Sequence, residues 1–273
     1  MKDEAQLPDY AATLTAFHRA FRRELSRAVR AAPLPSGAAV VDVPCGDGFY
    51  TVLLARRLRP FGKVTAADQS DAYLSLARAA VAEAGDLAAV EFVKADAYHL
   101  PFDDGAFDVV WCAQSFISLT DPVAALREMR RVTRPGGRVA VLEDDELHRV
   151  VVNWPVGLEV DVHRATAEAS RARYGSKVAL SPGRRMRQFF LDAGLTPRGR
   201  KTFAADRQAP FGPAARRFLR LHLRDTREAL AGHLKPTALA ALDRAIDADD
   251  AESLLNRADA TMTCLTTLFV AAR

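Results

Sequence analysis

The residues best suited to chemistry follow an apolar run near the start of the chain. Residues 40–51 read VVDVPCGDGFYT, in which Asp42 ends the apolar run and Gly46 and Gly48 lie in the turn after it. Glycine tolerates sharp backbone bends, and its missing side chain lets a ligand touch the main chain. The helical pattern that begins at Phe49 adds unpaired N–H groups and a positive dipole end, which suit an anionic ligand group. The unit predicts a ligand-binding turn, although an ordinary strand-to-helix turn has the same pattern.

Two more acids end apolar runs further along the chain. Asp68 ends the run VTAAD, 22 positions after Gly46, and Asp96 ends the run VKAD. In dinucleotide-type folds, an acid about 20 residues past the glycine turn binds ribose hydroxyls. The spacing therefore predicts a ribose-binding carboxylate at Asp68, with a helix cap as the alternative interpretation.

The elements that must position these residues alternate between strand and helix. Strands are predicted at 38–43, 63–67, 90–93, 107–112 and 138–142, with helices near 49–58, 72–84 and 122–132. Short apolar strands separated by helices indicate a parallel sheet that is covered on both faces. The alternation fails after residue 142. Helices are predicted there near 156–174, 182–193, 213–230 and 236–245, and strands near 195–203 and 260–271. The first 35 residues have the apolar spacing of one helix.

Four motifs of this sequence resemble those of the class I S-adenosylmethionine-dependent methyltransferases, and they follow one another in the same order as in that family. They are the glycine turn, whose common form is D-x-G-x-G-x-G, the acid Asp68, residues 93–111 (VKADAYHLPFDDGAFDVVW), and residues 121–137 (DPVAALREMRRVTRPGG). The last two are similar to the small-molecule branch that contains the ubiquinone/menaquinone methyltransferases. The first glycine of the common turn is Pro44 here, and proline lacks an N–H for a ligand. A nicotinamide-dependent hydride-transfer site would have G-x-G-x-x-G, and its third glycine is missing.

The resemblance implies an α/β fold. We expect a Rossmann-like, doubly wound, mostly parallel seven-stranded sheet whose final strand is antiparallel and pairs near 195–203. Residues 1–35 would form a helical N-terminal cap, and residues 36–273 the methyltransferase domain, with helical insertions at about 147–180 and 204–259. The cofactor would be S-adenosylmethionine. By resemblance, Asp96 binds the adenine amino group and the backbone N–H of Ala97 contacts the ring. The expected cofactor-binding residues are Asp42, Gly46, Gly48, Asp68, Gln69, Asp96 and Ala97.

The acceptor should contact the loops after the fourth and fifth strands, because ligands bind at the carboxyl ends of such strands. These loops offer Gln114 after strand four, and Glu143 and Asp144 after strand five, as substrate residues. His148 is our candidate proton acceptor and Asp145 the second catalytic residue, since histidine can take a proton near neutral pH. A solvated loop with a capped helix is the alternative interpretation of this acidic segment.

The expected function is methyl transfer to a small molecule, with oxygen or nitrogen favoured over carbon as the acceptor atom. The alternative is a non-catalytic protein that binds S-adenosylmethionine as a sensor or assembly partner. We expect no metal, because the metal-dependent catechol-type enzymes need an acid after strand four, where Ala113 and Gln114 stand. The formal net charge is only +4, from 38 basic and 34 acidic residues, so no nucleic-acid partner is expected. No apolar run suits a signal peptide or a membrane span, so we expect a cytoplasmic monomer or homodimer with no membrane contact.

Overall fold

The computed structural model describes residues 7–8, 10–144, 149–174 and 182–273. The strands in these ranges are β1 (Ala39–Asp42), β2 (Lys63–Asp68), β3 (Ala89–Lys94), β4 (Phe107–Ala113), β5 (Thr133–Glu143), β6 (Val150–Val152), β7 (Thr196–Gln208) and β8 (Thr261–Ala272). The helices are α1 (Ala11–Ala20), α2 (Arg22–Ala31), α3 (Phe49–Arg57), α4 (Asp71–Ala84), α5 (Pro122–Val132), α6 (Leu158–Tyr174), α7 (Pro182–Asp192), α8 (Pro213–Leu230) and α9 (Pro236–Ile246).

All the strands belong to one sheet. Its order is β3-β2-β1-β4-β5-β8-β6, and β7 also pairs with β8. Strands β1 to β5 pair in parallel, whereas β8 runs antiparallel to β5, β6 and β7. The expected doubly wound, mostly parallel sheet is therefore confirmed, and so is the final antiparallel strand.

The strand count differs from the expected seven. The described ranges contain eight strands, because Val150–Val152 pairs with β8 from Val150 opposite Cys264 to Val152 opposite Met262. This strand lies in the segment 147–180, which we expected to be a helical insertion. Three consecutive valines favour a strand, since β-branched side chains fit a pleated surface.

Both faces of the sheet are buried. In β4, Val109 and Trp111 pack into one apolar cluster with α1, α2, α3 and α8, while Val110 and Cys112 pack into another with α5 and α7. This two-sided burial explains the continuous apolar run in the sequence of β4.

The N-terminal segment forms two helices rather than one. Phe21 separates α1 from α2 with φ −117° and ψ 17°, and its ring lies 5.1 Å from Phe17 and 5.4 Å from Phe218 between ring centroids. Phe17 and Phe21 are four residues apart and lie on the same face, so both reach the same core cluster as the helical spacing predicts. As a result α1 lies across α8 and over the carboxyl end of the sheet, where its partners are Asp225, Asp47 and Gln114.

In the described ranges, no helix is long and apolar enough to cross a membrane.

Candidate functional site

The predicted site residues meet at one edge of the sheet. Parallel strands place their carboxyl ends on the same side, and the register aligns Asp42 of β1 with Ala66 of β2 and with Trp111 of β4. The glycine turn therefore leaves the sheet beside Asp68, which ends β2.

A backbone hydrogen bond joins the glycine turn to the predicted ribose-binding acid. The N–H of Gly46 donates to Oδ2 of Asp68 at 3.0 Å, and the N–H of Ser70 donates to Oδ1 at 2.9 Å. Gly46 has φ +52°, and a β-carbon built on it would meet no atom within 4 Å. The turn is thus open on the side where a ligand would touch the main chain.

The second glycine of the turn has a different environment. Gly48 has φ +80°, and a β-carbon on it would lie 2.7 Å from Cα of Ala77 in α4. Close packing of α3 on α4 explains glycine at this position, while its contact with a ligand stays a prediction.

Two buried carboxyl groups surround the turn. Burial raises the pKa of Asp42 to about 7. The Thr51 hydroxyl donates to Oδ2 of Asp42 at 2.6 Å and lowers this pKa, but by less than burial raises it. Asp42 is 1% exposed, so it supports the turn from beneath rather than facing a ligand directly. Burial also raises the pKa of Asp68, although the backbone N–H groups of Ser70 and Gly46 lower it.

The predicted adenine-binding residues follow β3. Asp96 is exposed, and its Oδ1 accepts the N–H of Tyr98 at 3.0 Å, while its Oδ2 lies 4.0 Å from Nδ1 of the exposed His99. Ala97 is buried beside it, and Gln69 is exposed after Asp68.

The predicted acceptor residues form a connected group after β4 and β5. Gln114 has φ +52°, an uncommon conformation for a residue other than glycine, and its Nε2 donates to Oδ2 of Asp144 at 3.3 Å. The carboxyl group of Glu143 accepts the N–H of Phe116 at 2.7 Å and that of Asp144 at 3.0 Å. Burial, with the negative charge of Asp144, raises the pKa of Glu143 to about 8.

The predicted catalytic pair lies outside the described residues, because His148 and Asp145 fall in the gap between 144 and 149. Their roles stay predictions. In the part of the chain that the structure describes, no group of three or more His, Cys, Asp or Glu residues is arranged to hold a metal ion. The expectation of a metal-independent reaction therefore also stays a prediction.

Sequence reasoning missed His18. This residue of α1 is 4% exposed, and its ring stacks on Phe49 at 4.2 Å between centroids. Its Nδ1 lies 3.3 Å from Oδ2 of Asp47, and its Nε2 lies 3.1 Å from Oε1 of Gln114. The available signal was its position four residues after Leu14, on the apolar stripe of the helix. A histidine on a buried stripe needs a polar partner.

The glycine turn and the carboxylates at the strand ends have the arrangement of a cofactor site. Comparison with known sequences indicates which cofactor it suits. Residues 41–141 match a family model described as a methyltransferase domain. The chain carries a class I S-adenosylmethionine-dependent methyltransferase domain. The matched segment runs from β1 to β5, and so includes the glycine turn, Asp68, Asp96 and Gln114.

The methyltransferase domain has curated relatives of the quinone type. The chain is 43% identical over 107 residues to a ubiquinone/menaquinone biosynthesis C-methyltransferase of Idiomarina loihiensis, across 39% of this chain and 43% of that protein. It is 35% identical over 129 residues to a demethylmenaquinone methyltransferase of Listeria monocytogenes, across 47% of this chain and 53% of that protein. The chain thus matches about half the length of each relative. The first is named a C-methyltransferase, so the expected preference for oxygen or nitrogen over carbon has no support.

The fold of the methyltransferase domain also occurs in solved structures. One is a SAM-dependent methyltransferase from Aquifex aeolicus, with a TM-score of 0.52 and 23% identity across 69% of this chain and 90% of that one. At this identity the likeness concerns the fold.

The residues present fit S-adenosylmethionine, the cofactor of this domain type. Asp68 accepts the backbone N–H groups of Gly46 and Ser70 on different oxygens, and that of Gln69 also acts on it; a carboxylate has about four acceptor sites, so Asp68 retains capacity for a ribose hydroxyl. The open space at Gly46 and the exposed carboxylate of Asp96 lie nearby for the neighbouring contacts. Pro44 removes one N–H from the turn, but Gly46 keeps its own.

Proposed function

We propose that the protein transfers a methyl group from S-adenosylmethionine to a small-molecule acceptor. The observation that carries the proposal is the junction of Gly46 and Asp68 at the strand ends. There an open left-handed glycine lies one hydrogen bond of 3.0 Å from a buried carboxylate with spare acceptor capacity.

The acceptor atom is one that becomes nucleophilic on losing a proton, and we now include carbon beside oxygen and nitrogen. The name of the first curated relative, a C-methyltransferase, supports carbon, and the names of both relatives support a quinone precursor or a similar enolic or phenolic ring. Nothing in the described acceptor residues selects oxygen or nitrogen.

S-adenosylmethionine supplies a methyl group that is already activated on a sulfonium sulfur. The chain must therefore bind the two reactants, orient them and exclude water, which together can supply several kcal/mol of the barrier. Asp68 and Asp96 hold the nucleoside part, with Ala97 and Gln69 beside them. His18, Phe49 and Tyr50 pack together at the strand ends, where His18 and Tyr50 are buried and Phe49 is half-buried.

Proton transfer falls to the residues after β5. With a pKa of about 8, the carboxyl group of Glu143 holds its proton at neutral pH and is not the acceptor of another. We therefore keep His148 as the proposed proton acceptor, with Asp145 orienting it, and Gln114 and Asp144 as substrate contacts. Removing a general base typically lowers the rate about 10²–10⁴-fold without changing cofactor affinity. His148→Ala should do the same, whereas His163→Ala on the exposed side of α6 should not.

The test is transfer of a labelled methyl group to a panel of phenols, enolic rings and amines, combined with S-adenosylhomocysteine binding. We expect transfer to at least one class, and Asp68→Ala should weaken binding by about 1–3 kcal/mol because charge-assisted hydrogen bonds are lost. Asp192→Ala, an exposed aspartate on α7, is the matched control. Binding without transfer to any acceptor would favour the non-catalytic alternative, and a wild-type protein that binds neither cofactor form would refute the proposal.

A further inference from the structure

The cap helix places one polar side chain between the glycine turn and the end of β4. His18 belongs to α1, outside the segment that matches the methyltransferase family model. It nevertheless contacts Asp47 of the turn at 3.3 Å and Gln114 after β4 at 3.1 Å. Thr15, one turn earlier in α1, also donates to Oδ2 of Asp47 at 3.3 Å. Two side chains of the cap helix thus converge on one acid of the turn.

The orientation of the Gln114 amide determines which atoms donate and which accept among His18, Asp47 and Gln114. Its amide nitrogen donates to Oδ2 of Asp144, so its Oε1 faces His18 and the hydroxyl of Tyr50. His18 must therefore donate from Nε2. Its other nitrogen faces the carboxylate of Asp47, so acceptors flank both sides of the ring. An imidazole in this setting is fully satisfied only when both nitrogens carry protons.

Asp47 supplies the opposite charge. Burial raises the pKa of Asp47, but the hydrogen bond and the charge of His18 and the N–H of Phe49 outweigh it, so the pKa is lowered overall. A carboxylate and an imidazole whose two nitrogens each face an acceptor therefore lie side by side at the strand ends. Such a pair is complementary to a group that carries both an ammonium and a carboxylate.

The strand order indicates which part of the cofactor reaches this pair. Asp96 follows β3 and Asp68 ends β2, so the adenine and the ribose lie over the outer two strands of the order β3-β2-β1-β4. The rest of the molecule must extend from the ribose toward β1 and β4. Neighbouring strands are about 4.8 Å apart, so the amino-acid end lies one or two strand spacings beyond Asp68. Asp47 and Gln114 occupy that position.

We infer that His18 binds the carboxylate of the cofactor's amino-acid end, while Asp47 receives its ammonium group. The cofactor's ammonium group replaces the His18 imidazole as the hydrogen-bond donor to Asp47. The N–H of His18 that this releases then donates to the cofactor's carboxylate. The exchange keeps every donor and acceptor paired. It makes α1 part of the cofactor site, so the cap and the methyltransferase domain are joined through the ligand. The inference rests on the proposed function, since it requires S-adenosylmethionine or its product as the ligand.

The test compares two ligands that differ in the amino-acid end. S-adenosylhomocysteine has it, whereas 5′-methylthioadenosine has the same nucleoside and thioether without it. Calorimetry measures both dissociation constants for the wild-type protein, for His18→Ala and for His18→Gln. The control is His163→Ala, a histidine exposed on α6.

We expect His18→Ala to weaken S-adenosylhomocysteine binding about tenfold or more, because a hydrogen bond to a charged group is lost. Methylthioadenosine should bind within about twofold of the wild-type value, which also shows that the variant is folded. His18→Gln keeps a neutral donor and should give an intermediate loss, and His163→Ala should change neither value. An equal loss for both ligands, or none for either, would overturn the inference while leaving the proposed function intact. A wild-type protein that binds neither ligand would instead refute the proposed function itself.

Discussion

Gly48 and Ala77 form the closest backbone approach between the glycine turn and α4. A β-carbon on Gly48 would lie 2.7 Å from Cα and 2.9 Å from Cβ of Ala77, and both are parts of a helix that cannot easily move. Gly48 also has φ +80°, which is strained for any other residue.

Gly48→Ala should therefore lower the free energy of unfolding by about 2 kcal/mol or more, from overpacking added to backbone strain. Gly136→Ala separates the two causes, because Gly136 has a similar φ of +77° and no atom within 4 Å of an added β-carbon. Urea denaturation should show a clearly larger loss for Gly48→Ala. If both variants lost the same free energy of unfolding, the contact with Ala77 would not contribute to the effect of Gly48→Ala.

The buried carboxyl group of Glu143 should make stability depend on pH. Its pKa is about 8 in the folded protein against an ordinary value of 4.5, so between these values the folded state binds more protons than the unfolded state. The free energy of unfolding must then fall as the pH rises from about 4.5 to about 8, with a slope of up to about 1.4 kcal/mol per pH unit. Asp42, with a pKa of about 7, adds to the slope in part of the same range.

Glu143→Gln should flatten this dependence without abolishing it. The variant should be less stable than wild type at pH 5, since an amide nitrogen cannot accept the N–H of Phe116 or Asp144. Its disadvantage should shrink toward pH 8. Glu83→Gln, at an exposed position of α4, should keep the wild-type slope. A Glu143→Gln profile parallel to wild type would show that Glu143 does not titrate in this range.

The side chain of Arg149 lies among residues of α1 and α8, and its backbone bonds to β8. Its Nε is buried without a hydrogen-bond partner in the described ranges, and its Cζ lies 5.2 Å from the ring centroid of Phe17. Burial and the positive charge of Arg149 lower the pKa of His222 to about 4, although Asp225 acts in the opposite direction.

Arg149→Met should raise the pKa of His222 because the charge disappears while an apolar chain of similar length remains. An NMR titration of the His222 ring measures the change. Arg220→Met, on the exposed side of α8, removes a charge two residues from His222 that does not act on its pKa, and should leave this pKa in place. An unchanged value in Arg149→Met would mean that burial alone lowers it.

The sequence predicts the sheet and the cofactor edge well because both follow from local patterns. A strand that is buried on both faces has a continuous apolar sequence. Parallel strands place their carboxyl ends at one edge of the sheet, independently of the loops that connect them. The junction of Gly46 with Asp68 could therefore be expected from spacing alone.

His18 could not be found in this way, because its contacts depend on how distant elements pack. Asp47 lies 29 residues away and Gln114 lies 96 residues away. Helical spacing shows that the position is buried but says nothing of what it touches. The strand Val150–Val152 was missed because three residues are too few for a periodic signal.

The central claim is that S-adenosylmethionine and its product bind at the open glycine of the turn, and a matched pair of alanine variants tests it most directly. Gly46 and Gly85 have φ +52° and +54°, and an added β-carbon meets no protein atom within 4 Å at either one. Both substitutions place a side chain at positive φ, and Gly85, whose ψ is 170°, should lose at least as much stability as Gly46, so backbone strain alone does not single out Gly46→Ala. Calorimetry with S-adenosylhomocysteine should show wild-type affinity for Gly85→Ala and a loss of at least about tenfold for Gly46→Ala, because only there does the new methyl group occupy ligand space. Equal affinities for the two variants would contradict the claim.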